Sequence, residues 1–212
     1  MSSARVIHVT WDDAARRALE ARVARENPAG REEALRLAGL ALHLCTDHDD
    51  HADESRALLD RSVTVPGAEP HPGAREALAQ IAAARGDQAG AIYRYRELLA
   101  EHPDGEGTSG GVEVALAELL LDRGVHGDVD EAVDLLQTWR KRRPLHLDTL
   151  MFRWHVALIR SAEAVGDERT MRTAASTALS LAESAKRLSF HPDFHEIDTD
   201  KPTLRWLRSI AA

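Results

Sequence analysis

Apolar positions along this chain recur at helical spacing in runs separated by short polar segments rich in Gly, Pro and Asp. The first run is "WDDAARRALEARVAREN", where Thr10 is placed to cap and Asp13 sits near the positive helix end. "PAG" (Pro28 to Gly30) breaks it, and "REEALRLAGLALHLC" begins a second helix with Leu35, Ala38, Leu42 and Cys45 on one face. After "TDHDDHADE" a shorter helix is predicted around Asp53 to Val63. "TVPGAEPHPG" (Thr64 to Gly73) then makes the strongest break in the first half. From Ala74 the pattern is regular: one helix to Arg85, a second to about Glu101 with Ile92, Tyr95 and Leu99 as its buried stripe, then the loop "HPDGEGTSGG". Tyr93 falls about half a turn from that stripe, on the next repeat or in solvent. "VEVALAELLLDRG", "VDEAVDLLQTWRKRRP", "LDTLMFRWHVALIRSAEAV" and "ERTMRTAASTALSLAESAKRL" complete two further pairs.

Between the members of three of these pairs lies Gly-Asp, at 86–87, 127–128 and 166–167. Glycine ends a helix because it enters the left-handed conformation without a Cβ clash. Aspartate then accepts from the orphan amides of the next helix, and Asp128 with Glu131 reads as a variant capping box. A turn this short folds the helices back antiparallel. The pattern predicts an all-α chain of about ten helices paired as hairpins, with essentially no sheet. Scarcity of aromatic residues and of alternating Val/Ile/Thr runs supports the same class.

The stretch "PGAREALAQIAAARGDQAGAIYRYRELLAEHPD" (Pro72 to Asp104) resembles a tetratricopeptide repeat, a helix–turn–helix unit of roughly 34 residues. Leu78 and Ala79 match its large–small pair, Gly86-Asp87 its turn, Ala91 its small crossing residue, Tyr95 its aromatic and Pro103 its terminal proline. The motif's first-helix Trp and Tyr are absent, replaced by Arg75 and Ala82. The next unit keeps Leu116, Ala117, Gly124, Ala132, Leu136 and Pro144, with three extra residues in the turn. The third keeps Leu158, Ala162 and Gly166-Asp167 but has Met171 where a small residue belongs, and the 31–66 segment keeps "LAGLAL" and little else. The resemblance implies antiparallel hairpins stacked as a short right-handed solenoid with a C-terminal capping helix. The expected organisation is one continuous domain: an N-terminal extension over 1–10, degenerate hairpins over 11–66, the repeat region over 72–188, and a loop and capping helix over 189–212. In that last segment Asp200 would cap a helix with Pro202 in its first turn and Leu204, Leu207 and Ala211 as its stripe. The competing expectation is that Trp206 and Ile210 anchor a second subunit, giving a homodimer.

Composition narrows the function classes. The formal net charge of −8 disfavours a general binder of nucleic acid or of anionic membranes. "MSSARVIHVTWDD" lacks the apolar core of a signal peptide and no run approaches the length of a membrane span, so a cytoplasmic protein is expected. Cys45, the single cysteine, reads as a small buried hydrophobe.

Candidate chemistry is sparse. "HLCTDHDDHADE" holds His43, His48 and His51 among five carboxylates, and imidazole with carboxylate can bind zinc or another divalent ion. The spacing matches no closed metal motif, and an acidic interhelix loop accounts for the same residues, so no metal or other cofactor is expected. Gly105 to Gly111 follows a helix rather than a strand, which makes it a flexible loop instead of a phosphate cradle. "RKRRP" (Arg140 to Pro144) suits the negative end of a helix dipole, or an acidic partner. In a repeat array the first helices line the groove, which places Glu76, Gln80, Glu118, Asp122, Arg153, Arg160 and Glu163 on the partner-binding face. The expected function is a non-catalytic adaptor for a protein or peptide. The alternatives are a helical enzyme or metal-dependent protein using His43 to Glu54, and a regulator sensing a ligand or peptide.

Overall fold

The computed structural model describes residues 10–44, 48–142, 147–188 and 201–212, with backbone alone at 48–50 and 185–188. Among them ten helices and no strand are found: α1 (Asp13–Arg25), α2 (Pro28–His43), α3 (His48–Val63), α4 (Pro72–Ala84), α5 (Gln88–Glu101), α6 (Val112–Arg123), α7 (Asp128–Lys141), α8 (Asp148–Val165), α9 (Glu168–Leu188) and α10 (Lys201–Ala211). The chain divides into two compact units, 1–109 and 110–212. The division falls in the Gly-rich connection between α5 and α6, inside the stretch expected to be one repeat region.

In the first unit α1 packs on α2, α2 pairs with α3, α4 pairs with α5, and α4 also meets α2 and α3. Two buried clusters hold it together. Leu35, Leu42 and Leu58 gather Trp11, Leu19 and Val23 around them. Leu59 meets Ala74, Ala77, Leu78 and Ile81, with Leu40 and Val63 beside them. Gly39 is the close-approach point of the α2–α3 hairpin: a Cβ there would stand 2.7 Å from Leu59 Cγ. Ser55 Oγ donates to the Gly39 carbonyl at 2.9 Å across the same crossing. In the α4–α5 hairpin the crossing residue is Ala91, fully buried beside Ile92, Tyr95 and Leu98. Leu98 rather than Leu99 completes the stripe of α5, because α5 runs on from Tyr95 by three residues to its next inward position.

The second unit pairs α6 with α7 and α8 with α9, and α8 also packs on α6 and α7. Ala132 is fully buried, and α9 turns Ala174, Ala175, Ala178 and Ala182 inward against Phe152 and Ile159. That run of small residues lets the two longest helices approach, so the small crossing face lies one turn beyond Met171. α10 covers this cluster through Leu204 and Leu207, with Trp206, Ile210 and Ala211 partly buried beside them, as a capping helix should. Trp139 is fully buried and donates from Nε1 to the Gly110 carbonyl. Trp154 stacks on it at 6.3 Å and meets His155 edge-on. His155 Nδ1 is buried without a hydrogen-bond partner, and burial, with Arg140 nearby, lowers its pKa to about 4.

The turns follow their local chemistry, with two corrections. At 86–87 the Gly86 amide bonds to Ala83 O and Asp87 N to Ala82 O, while at 166–167 Gly166 bonds to Glu163 O and Asp167 to Ala162 O. Both glycines have positive φ, which makes each turn a Schellman ending followed by an aspartate cap. Asp87 accepts from Gly90 N and Asp167 from Thr170 N; the Thr170 contacts hold the Asp167 carboxyl below its ordinary pKa. At 127–128 the expected cap does not form. Three extra residues let Gly124 end α6 and Gly127 precede α7, and Asp128 turns back to accept from Arg123 and Val125 N. At the N-terminus Asp12, not Thr10, caps α1 by accepting from Ala15 N. The expectations for Cys45, Pro144, Asp200 and the 1–9 extension lie outside the described residues.

Candidate functional site: the cleft along α4

α4 has an interior face and an open face. Ala74, Ala77, Leu78 and Ile81 point into the first unit, while Arg75, Leu78, Ala82 and Arg85 recur at three- and four-residue spacing towards a cleft flanked by α3 and α5. The cleft is two adjoining hollows that share Leu78 and Arg94. One, of about 230 Å³, lies among Val63, Arg75, Leu98, Glu97 and Glu101; the other, of about 70 Å³, lies among Arg56, Ile81, Ala82, Arg85 and Asp87. Leu78 and Ile81 lie at its base but are almost wholly covered, 4% and 5% exposed, and charged side chains make the walls.

The wall charges are unevenly satisfied. Arg56 pairs with Asp60 at 3.5 Å, Arg75 with Glu101, and Arg85 with Asp53. Asp87 is occupied in capping α5, and Glu97 accepts from the Tyr93 hydroxyl at 2.5 Å. That contact holds the Tyr93 pKa above its usual value and leaves the ring 62% exposed at the cleft's edge, in solvent rather than on a neighbouring repeat. Arg94 alone among these wall residues makes no ion pair or hydrogen bond to a described residue. A hollow of about 280 Å³ beside α9 and α10 differs here, since its Arg172 is paired with Glu168.

The residues expected to line a groove are elsewhere engaged. Glu76 is buried, 4% exposed, and accepts from Ser109 N at 2.7 Å and from Ser109 Oγ. Gln80 donates to Glu76 at 3.4 Å and accepts from His43 Nε2 at 2.8 Å. One hydrogen-bonded chain therefore runs from α2 through α4 to the loop before residue 110. Glu76 is thus a buried strut rather than an exposed groove residue, Gln80 is half-buried within the same chain of bonds, and the 105–109 part of the loop is tied down. In the second unit Arg153 grips Glu118, with its Nε at 3.0 Å, and Arg160 pairs with Asp122 at 2.7 Å, so these four stitch α8 to α6. Glu163 is exposed.

Of the three histidines in the His43–Glu54 cluster, His43 and His51 have described side chains. His43 serves Gln80, and His51 lies 3.4 Å from Glu54. The side chain of His48 lies outside the described residues. Among the described residues no three His, Cys, Asp or Glu side chains gather as metal ligands would. In the "RKRRP" run Arg142 pairs with buried Glu113, whereas Arg140 and Lys141 are exposed. The sequence signal at this cleft is the pair of substitutions at 75 and 82. Their consequence depends on α3 standing opposite.

No protein-family model matches the chain, and no curated protein matches it. A solved structure titled "MamA MSR-1 C2" is similar to it in fold, at 16% sequence identity and a TM-score of 0.50, covering 85% of this chain and 96% of that one. MamA is a tetratricopeptide-like helical repeat protein. With the hairpins described above, this likeness makes the fold all-α, of stacked antiparallel helical hairpins of tetratricopeptide-like kind.

Proposed function

We propose that the protein is a non-catalytic scaffold that binds a protein or peptide partner through the cleft along α4. The observation that carries this reading is a surface cleft of two adjoining hollows walled by charged side chains, in which Arg94 makes no ion pair or hydrogen bond to a described residue. Such a site offers several exposed charges of both signs for recognition. Its lining has no Ser, Thr, Cys or His to serve as nucleophile or neutral base. Among the described residues no helix is long and apolar enough to cross a membrane.

Tyr93 offers the direct test, because it is exposed and borders the cleft through Glu97. A photo-crosslinking amino acid at position 93 should give a discrete adduct in cell extract. The same group at exposed Arg17 on α1 should not. Equal labelling from both positions would sink the proposal.

A further inference from the structure

We infer that His71 is a pH-operated cap: its neutral ring fastens the start of α4 beneath the 105–109 loop, and a proton on that ring undoes the fastening. His71 Nδ1 accepts from Gly73 N at 3.0 Å, which gives α4 the cap that Asp87 gives α5. An imidazole nitrogen that accepts carries no hydrogen, so the neutral ring holds its one proton on Nε2. A second proton has to enter at Nδ1. It turns the acceptor into a donor facing the Gly73 N–H, and the cap bond is lost. The loop lies on this same ring. A Cβ on Gly107 would stand 3.2 Å from Pro72 Cγ and 3.5 Å from His71 Cε1, and the Gly107 carbonyl lies 3.0 Å from where a Gly73 Cβ would be. Two residues on, Ser109 is bonded to Glu76. The loop therefore has two fastenings on the first two turns of α4, and one of them is a histidine.

The surroundings resist that proton on balance. The ring is half-buried, Arg36 acts on it from α2 and His102 from the end of α5, and the positive end of the α4 dipole adds to them. Glu32 on α2 favours the charge, but Arg36 already holds its carboxylate at 3.2 Å. On α4 itself Arg75 is paired with Glu101 and Glu76 with Ser109, and the loop's own acids, Asp104 and Glu106, are exposed. Burial and Arg36 hold the His71 pKa below its ordinary 6.5. The folded ring is thus harder to protonate than the unfolded one. The cap's contribution is complete above about pH 6.5 and is lost as the pH falls through the lower folded value.

Magnetic resonance of the full chain, followed from about pH 8 to about pH 5, tests this across the range in which histidine titrates. The His71 ring shift and the Gly73 amide nitrogen shift should share one inflection below 6.5. Protection of the Gly73 and Ser109 amides from exchange, corrected for the intrinsic pH dependence, should fall about fivefold across that inflection, the worth of one helix cap. His71→Asn keeps an acceptor that does not titrate, so both amides should stay protected over the same range. Separate inflections for ring and amide, a His71 pKa at or above 6.5, a Ser109 amide indifferent to pH, or the same loss of protection in His71→Asn would each overturn the inference. All but the last are read on the unaltered chain and stand even if His71→Asn fails to fold.

Discussion

Glu76 is the residue on which sequence pattern and structure disagree most, and its removal measures what the structure says it does. Its carboxylate is buried on α4 and receives two hydrogen bonds from Ser109, thirty-three residues away, besides a longer one from Gln80. A hydrogen bond to a charged group contributes about 1.5–3 kcal/mol. The two from one serine are not additive, and exposed Ser109 regains water when released. Glu76→Ala should therefore cost about 2–4 kcal/mol. Glu76→Gln, which keeps the shape and loses the charge, should cost about 1–2 kcal/mol. For a unit of about a hundred residues the alanine variant should melt roughly 8–16 °C lower. Thermal unfolding followed by circular dichroism, with Ser109→Ala and the double variant completing a cycle, reads both the loss and its coupling. If Glu76→Ala costs under about 0.5 kcal/mol, or the two substitutions simply add, the carboxylate is not the anchor of this loop.

The remaining expectations are local. Ala91→Leu or Ala132→Leu forces volume into a fully buried helix crossing and should cost about 1–3 kcal/mol in urea unfolding; two silent substitutions would refute the hairpin register. His155, whose pKa drops from 6.5 to about 4 on folding, stays neutral in the native state while the unfolded chain takes up its proton. Its contribution is therefore full above about pH 6.5 and is lost progressively as the pH falls towards 4. Denaturant midpoints measured across that window should fall more steeply for the parent than for His155→Phe, and parallel curves would count against the burial argument.

How much of this was legible beforehand follows the range of the interactions. Helix number, the hairpin pairing, the glycine endings at 86 and 166 and the caps at Asp87 and Asp167 all rest on partners within a few residues, so the sequence determined them. Thr10 and Asp128 were misjudged at that same range. In each case a neighbour competed: Asp12 at the first helix, and Arg123 with Val125 N across the lengthened turn. Exposure on α4 was not legible at all. Helical spacing places Glu76, Gln80 and Arg75 on or near one side of α4. Only packing decides that Glu76 meets Ser109, that Gln80 meets His43, and that Arg75 borders an open hollow. The same holds for Glu118 and Asp122, whose partners Arg153 and Arg160 arrive on a helix one hairpin later. The missing Trp and Tyr at 75 and 82 could be seen in the sequence as gaps in a motif. That they leave a cleft required Val63 and Arg56 of α3 to stand across from α5, a placement set by the burial of Leu59 against Ala74 and Leu78. Periodicity reports which face of a helix is apolar, and tertiary packing decides what stands opposite each polar residue.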